Sequence, residues 1–142
     1  MSAVIRQGHY QGLAGNGVTE YRGIPFALPP LGEHRFKAPR PLPDADNQVT
    51  ADQYPQPSLQ MKNPLMGVHE SSEDCLYLNV WTAAEANAAR PVMVWLHGGA
   101  LTRGSGAIDT YDGAGLAQKD VVVVTANYRL GVFGYLAHPE LI

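Results

Sequence analysis

The sequence predicts an α/β fold: an N-terminal β-hairpin leading into a mixed, mostly parallel central sheet. Three observations carry this prediction. Pro91-Val92-Met93-Val94-Trp95-Leu96 and Val121-Val122-Val123-Val124-Thr125-Ala126 are continuous apolar runs bounded by turn residues, the pattern of strands buried on both faces of a parallel sheet. Between them, residues 111–119 have the length and small apolar side chains of a short helix, weakened by Gly113 and Gly115. The three pieces make a βαβ unit, for which a right-handed crossover is the rule.

The first 22 residues read as one twisted hairpin. Residues 4–10 and 18–22 are strand-like, and Gly12, Gly15, Asn16 and Gly17 supply the turn. Residues 23–72 form a proline-rich irregular segment. Pro25, Pro29, Pro30, Pro39, Pro41 and Pro43 fix φ and remove backbone donors, so the stretch to Asp46 is expected to lie extended over the body. Residues 51–70 are polar and loop-like. Residues 73–142 hold the core strands. There Leu76, Leu78 and Val80 alternate with Tyr77, Asn79 and Trp81, which predicts a strand with two different faces. Residues 83–90 are a small, polar connection.

A chain of 142 residues, 45% apolar, is expected to form a single domain. Its net charge of −3 and lack of a basic patch argue against a nucleic-acid partner. No run of about 18 apolar residues is present to span a membrane. The N-terminus lacks the basic stretch and apolar core of a secretory signal. Cys75 is the only cysteine, so no internal disulfide can form. These two features together predict a cytoplasmic protein. The chain has few strong helices and ends 16 residues after its second buried run, which leaves residues 121–126 with a bare edge or face. It therefore reads as incomplete without further polypeptide.

The chemistry is concentrated in His97-Gly98-Gly99-Ala100, which follows a buried strand. Two glycines there allow the main chain to take angles closed to other residues and to approach a ligand closely. Successive N–H groups in such a turn can converge on a developing oxyanion. Taken alone, the four residues also read as an ordinary glycine turn, with His97 as a hydrogen-bonded core histidine rather than a catalytic base. No serine stands in a G-x-S-x-G nucleophile elbow. Ser105 has Arg103 and Ala107 where that motif needs glycine, and it reads as a loop serine. The other serines, Ser2, Ser58, Ser71 and Ser72, lack the glycine framework as well.

Four blocks make the loop specific. Tyr21-Arg22-Gly23-Ile24-Pro25-Phe26 with Arg35-Phe36, Glu73-Asp74-Cys75-Leu76-Tyr77-Leu78-Asn79-Val80-Trp81, the run from Pro91 to Ala100, and Asn127-Tyr128-Arg129-Leu130-Gly131 all occur in order. Together they resemble the N-terminal portion of type-B carboxylesterases, the family of cholinesterases and bacterial para-nitrobenzyl esterases. The resemblance implies the N-terminal part of an α/β-hydrolase fold. It also implies that Gly99 and Ala100 donate N–H groups to the oxyanion while Gly98 shapes the turn. Further, it implies a buried salt bridge between Glu73 and Arg129, although read singly both are solvated charges. Tyr54 stands where secreted relatives carry a cysteine that pairs with the one at Cys75, so Cys75 is expected to be a buried free thiol.

The function implied is serine-dependent hydrolysis of a small-molecule carboxylic ester through an acyl-enzyme, with no metal or cofactor. The Ser, Glu or Asp, and His of the triad are expected beyond this chain, in the remaining polypeptide of the same hydrolase, so the 142 residues alone are expected to be inactive. The alternatives are a non-catalytic, cholinesterase-like adhesion protein and an inactive fragment. The retained oxyanion loop and the single cysteine argue against the first. Leu65 falls about where cholinesterases hold a quaternary ammonium with tryptophan, which makes a choline ester a poor substrate.

Overall fold

Turn residues open the chain with two hairpins in succession, in a computed structural model that describes residues 2–83 and 88–141. Strand β1 (Ser2–Ile5) runs antiparallel to β2 (Gly8–Gln11), and β3 (Leu13–Gly15) runs antiparallel to β4 (Val18–Pro25). The single hairpin expected from the sequence is thus divided, because the chain reverses at Arg6 and Gln7. The reversal sets Tyr10 beside Tyr21 and Ala51 in one buried cluster, a gain that the local pattern of residues 4–10 does not reveal.

The irregular segment is extended for most of its length, as its prolines require. It contributes one strand that the sequence does not announce, β5 (Gln48–Thr50), which pairs in parallel with β2. Strands β1, β2 and β5 make a small sheet. Its Tyr10 and Val49, with Ala51 just after β5, pack on Tyr21, Ile24 and Val80 of the larger sheet.

That larger sheet has five strands in the order β3-β4-β6-β8-β7, where β6 is Tyr77–Thr82, β7 is Val92–Leu96 and β8 is Val122–Ala126. The connection expected over residues 83–90 lies partly outside the described residues. Three of the four pairings are antiparallel and only β7–β8 is parallel. The sheet is therefore mixed, as expected, but in this part it is not mostly parallel. Hairpin-built strands at one end dictate antiparallel neighbours, and the βαβ unit contributes the single parallel pair.

The predicted helix shrinks to a 3-10 turn at Asp109–Tyr111 and one turn of α-helix, α1 (Ala114–Ala117). It lies against the sheet with Ala117 packed on Val18, Trp81 and Val123. A second short helix, α2 (Gly131–Tyr135), follows β8.

On β6 the better-buried face carries Asn79 and Trp81, while Leu78 and Val80 are half-buried. A polar residue occupies the interior because its partners are there. Asn79 Oδ1 accepts from the Gly23 N–H at 3.0 Å, and its Nδ2 donates to Thr125 Oγ1 at 3.0 Å. Burying an amide is tolerable only with such bonds.

The bare strand is not β8, which is paired on both sides, but β7 at the sheet edge. Val92, Val94 and Leu96 are 61%, 58% and 63% exposed on one face, and Met93 and Trp95 are 38% and 44% exposed on the other. Among the described residues, no helix is long and apolar enough to cross a membrane.

Candidate active site

Strand β7 delivers the chain directly into His97-Gly98-Gly99-Ala100, and the loop that follows turns back on itself. Gly99 has φ +132°, and any Cβ there would be driven into the Arg103 carbonyl oxygen. Ala100 and Leu101 follow with φ of 53° and 60°. Left-handed conformations cost a non-glycine residue about 1–2 kcal/mol each, so the surrounding structure must hold them in place.

It does so through the carbonyls. Gly99 O accepts from the Thr102 and Arg103 N–H groups at 3.1 and 3.2 Å and from the Thr102 hydroxyl at 3.2 Å. Leu101 O accepts from the Gly131 N–H, at the start of α2, at 2.8 Å. Gly98 O accepts from His97 Nδ1 at 2.9 Å. The N–H groups of Gly99 and Ala100, by contrast, meet no acceptor among the described residues. A turn whose carbonyls are tied back and whose N–H groups are left open is suited to receive an anion.

His97 is a scaffold residue. It is only 3% exposed and lies flat on the Tyr128 ring, with centroids 4.5 Å apart and planes 17° from parallel. The Tyr128 hydroxyl donates to the His97 carbonyl at 2.5 Å. Because a carbonyl can only accept, the bond to Gly98 O puts the ring proton on Nδ1. Nε2 is then a buried acceptor with no partner among the described residues. Burial holds the imidazole below its ordinary pKa, and the Gly98 bond offsets this only in part, so the ring is neutral.

The far end of the loop is anchored in the sheet. The Gly106 N–H donates to Asn127 Oδ1 at 2.8 Å, and Thr125 Oγ1 donates to Gly106 O at 2.7 Å. Gly104 is held by the side chain of Gln60, whose Oε1 accepts from the Gly104 N–H at 2.8 Å and whose Nε2 donates to Gly104 O at 2.7 Å. Neither Gln60 nor Asn127 stands out in the sequence as a site residue. The one available signal was a polar side chain, Asn127, directly after an apolar strand.

The hydroxyls of Ser58, Ser71, Ser72 and Ser105 each bond to backbone groups. Ser58 Oγ accepts from the Leu130 N–H, Ser71 Oγ bridges the N–H and carbonyl of Gln60, Ser72 Oγ accepts from the Asp74 N–H and Ser105 Oγ from the Ala107 N–H. None of the four bonds to a histidine among the described residues. Cys75 is a fully buried free thiol packed with Ala27 and Leu76. Burial pushes its pKa up, which disfavours the reactive thiolate. No group of three or more His, Cys, Asp or Glu able to hold a metal occurs among the described residues.

The expected Glu73–Arg129 bridge is not formed. The partner of Glu73 is Arg35, while Arg129 Nη1 donates to the Lys37 carbonyl at 2.9 Å. The irregular segment places Arg35 against Glu73, through a path that local sequence does not encode.

The profile of the Carboxylesterase family matches residues 4–140. The para-nitrobenzyl esterase of Bacillus subtilis (strain 168) is 46% identical over 134 residues, covering 91% of this chain and 27% of that protein. The fumonisin B1 esterase of Sphingopyxis macrogoltabida is 43% identical over 143 residues, covering 96% of this chain and 26% of that protein. Among solved structures, a thermophilic para-nitrobenzyl esterase superposes with a TM-score of 0.90 at 40% identity, covering 98% of this chain and 30% of that one. The chain thus spans between a quarter and a third of the length of these relatives.

Proposed function

Because the chain belongs to the carboxylesterase family, we propose that the protein it forms part of hydrolyses carboxylic esters through a serine acyl-enzyme, and that this chain supplies the oxyanion hole. The observation that carries the reading is the open pair of N–H groups on Gly99 and Ala100, in a loop where the carbonyls of His97, Gly98, Gly99 and Leu101 are engaged. Attack on an ester carbonyl puts negative charge on its oxygen. Donors already oriented toward that charge lower the barrier without reorganising during the reaction, each contributing about 10²–10³ in rate. Gly98 shapes the approach to the two donors.

Serine, Glu or Asp, and His of the triad lie outside residues 1–142 in this reading. The engagement of the buried serine hydroxyls with backbone groups supports it. The remaining polypeptide of the same hydrolase covers β7, which supports the same view by exposing apolar side chains on both faces at a sheet edge. The substrate is a small-molecule carboxylic ester.

The test is hydrolysis of short para-nitrophenyl esters by the 142-residue chain and by a longer protein that continues it. The chain alone gives no turnover above buffer, and the longer protein turns over with saturation and is inactivated by a serine-directed organophosphate. Serine-dependent turnover by the 142 residues alone, or a folded longer protein without esterase activity, overturns the proposal.

A further inference from the structure

We propose that Gln60 is a positioning residue for the oxyanion loop, acting through Gly104 and His97. The inference rests on the reading of Gly99 and Ala100 as oxyanion donors and adds the residue that keeps them aimed. Gln60 belongs to the irregular segment, 44 positions before Gly104, yet every hydrogen-bonding group of its carboxamide is used on this side of the molecule. Oε1 takes the Gly104 N–H and Nε2 serves both Gly104 O and Ser58 O, the latter at 2.9 Å. Its own backbone is pinned by the Ser71 hydroxyl, which accepts from the Gln60 N–H at 3.2 Å and donates to Gln60 O at 3.0 Å. The side chain therefore acts like one rung of a sheet ladder, reading both backbone groups of a single residue.

That residue is the one on which the histidine rests. Gly104 has φ +121° and is buried, and the space where its Cβ would stand is filled by His97 Nδ1 and Gly98 O. His97 Nδ1 in turn binds Gly98 O, the peptide whose nitrogen side is the Gly99 N–H. Displacing Gly104 lets the His97 ring and the Gly98 peptide rotate together, and the Gly99 N–H rotates with that peptide. A two-point amide clamp resists such rotation better than a single bond, because the two bonds fix an orientation as well as a distance.

The test uses Gln60→Met, close in shape but without either hydrogen bond, in the longer esterase-competent protein. The expected kcat for para-nitrophenyl acetate falls about tenfold, the scale of one lost net hydrogen bond felt in the transition state, while KM changes little. The Ki of a trifluoromethyl ketone, whose serine adduct carries the oxyanion, rises by the same factor as kcat/KM falls. Amide exchange at Gly104 accelerates, while exchange in β8 stays as in the parent. If Gln60→Met does not fold, Gln60→Asn, which withdraws the carboxamide by one methylene, takes its place with the same readouts and the same expected direction. Unchanged kcat with unchanged Gly104 exchange overturns the proposal, and so does a loss confined to KM. An inactive parent protein would defeat the esterase reading instead, and Gly104 exchange would still decide the clamp: faster exchange in the variant upholds it and unchanged exchange refutes it.

Discussion

Arg35 holds Glu73 with two arms of its guanidinium, Nε lying 2.5 Å from Oε2 and Nη2 2.8 Å from Oε1. The paired geometry matches the fork of the guanidinium to the two carboxylate oxygens. Glu73 is the more enclosed partner, its side chain 17% exposed against 43% for Arg35. The pair fastens the irregular segment to the residues leading into β6. Glu73→Gln and Arg35→Ala are each expected to lower the melting temperature, and the double variant to lower it no further than the worse single one. Arg129→Ala should leave that coupling intact, since Arg129 is engaged with the Lys37 carbonyl. Additive losses in thermal unfolding of the three variants and the double would show that the two residues act independently.

Gly99→Ala tests the loop's backbone. The new Cβ meets the Arg103 carbonyl at a φ that side chains rarely adopt, so the turn must open. The expected result is a fall in kcat of about 10²–10³-fold in the active longer protein, the scale of one lost oxyanion donor. Because the site is half-exposed, the sheet is expected to stay folded by circular dichroism. A Gly99→Ala protein with parental kcat would remove Gly99 from the site.

The protonation of His97 couples the loop to pH. Burial lowers its pKa from an ordinary value near 6.5, so the unfolded chain binds a proton more readily than the folded one. The stability that neutral His97 contributes is therefore complete above about pH 6.5 and declines as pH falls below that value. Melting temperature measured from pH 8 to pH 5 should decline at the acid end. His97→Gln should be less stable at pH 8 yet show a shallower acid decline. Parallel curves for the two proteins would show that His97 does not titrate on unfolding.

Asn79→Leu raises the hydropathy of a buried position with almost no change in shape, and it should still destabilise the protein. The Gly23 N–H loses its acceptor and Thr125 Oγ1 loses a donor. An orphaned buried donor costs about 1–3 kcal/mol. Urea unfolding should register this as a lower midpoint with the slope unchanged. A midpoint at or above the parent's would mean that the hydrogen bonds contribute less than the added apolar burial.

Some of this molecule is written locally. The edges of β7, the adjacency of β7 and β8, and the glycine turn at Gly98 and Gly99 were legible because each depends on neighbours in sequence: an apolar run, a glycine that admits an otherwise closed φ, a crossover of suitable length. The burial of Cys75 was implied by resemblance and is found in the structure. What only the tertiary structure decided depends on where distant segments meet. The split of the first hairpin follows from the cluster that Tyr10 joins, and β5 exists because β2 offers it an edge. Glu73 takes Arg35 across 38 positions, and Gly104 takes Gln60 across 44. A proline-rich path with no periodicity carries no signal of where its polar side chains will arrive. Their partners are selected by the full geometry of the fold, since a buried polar group must be matched in space rather than in sequence. The sequence thus marked the glycine turn after β7, and the tertiary structure decided which distant groups its residues meet.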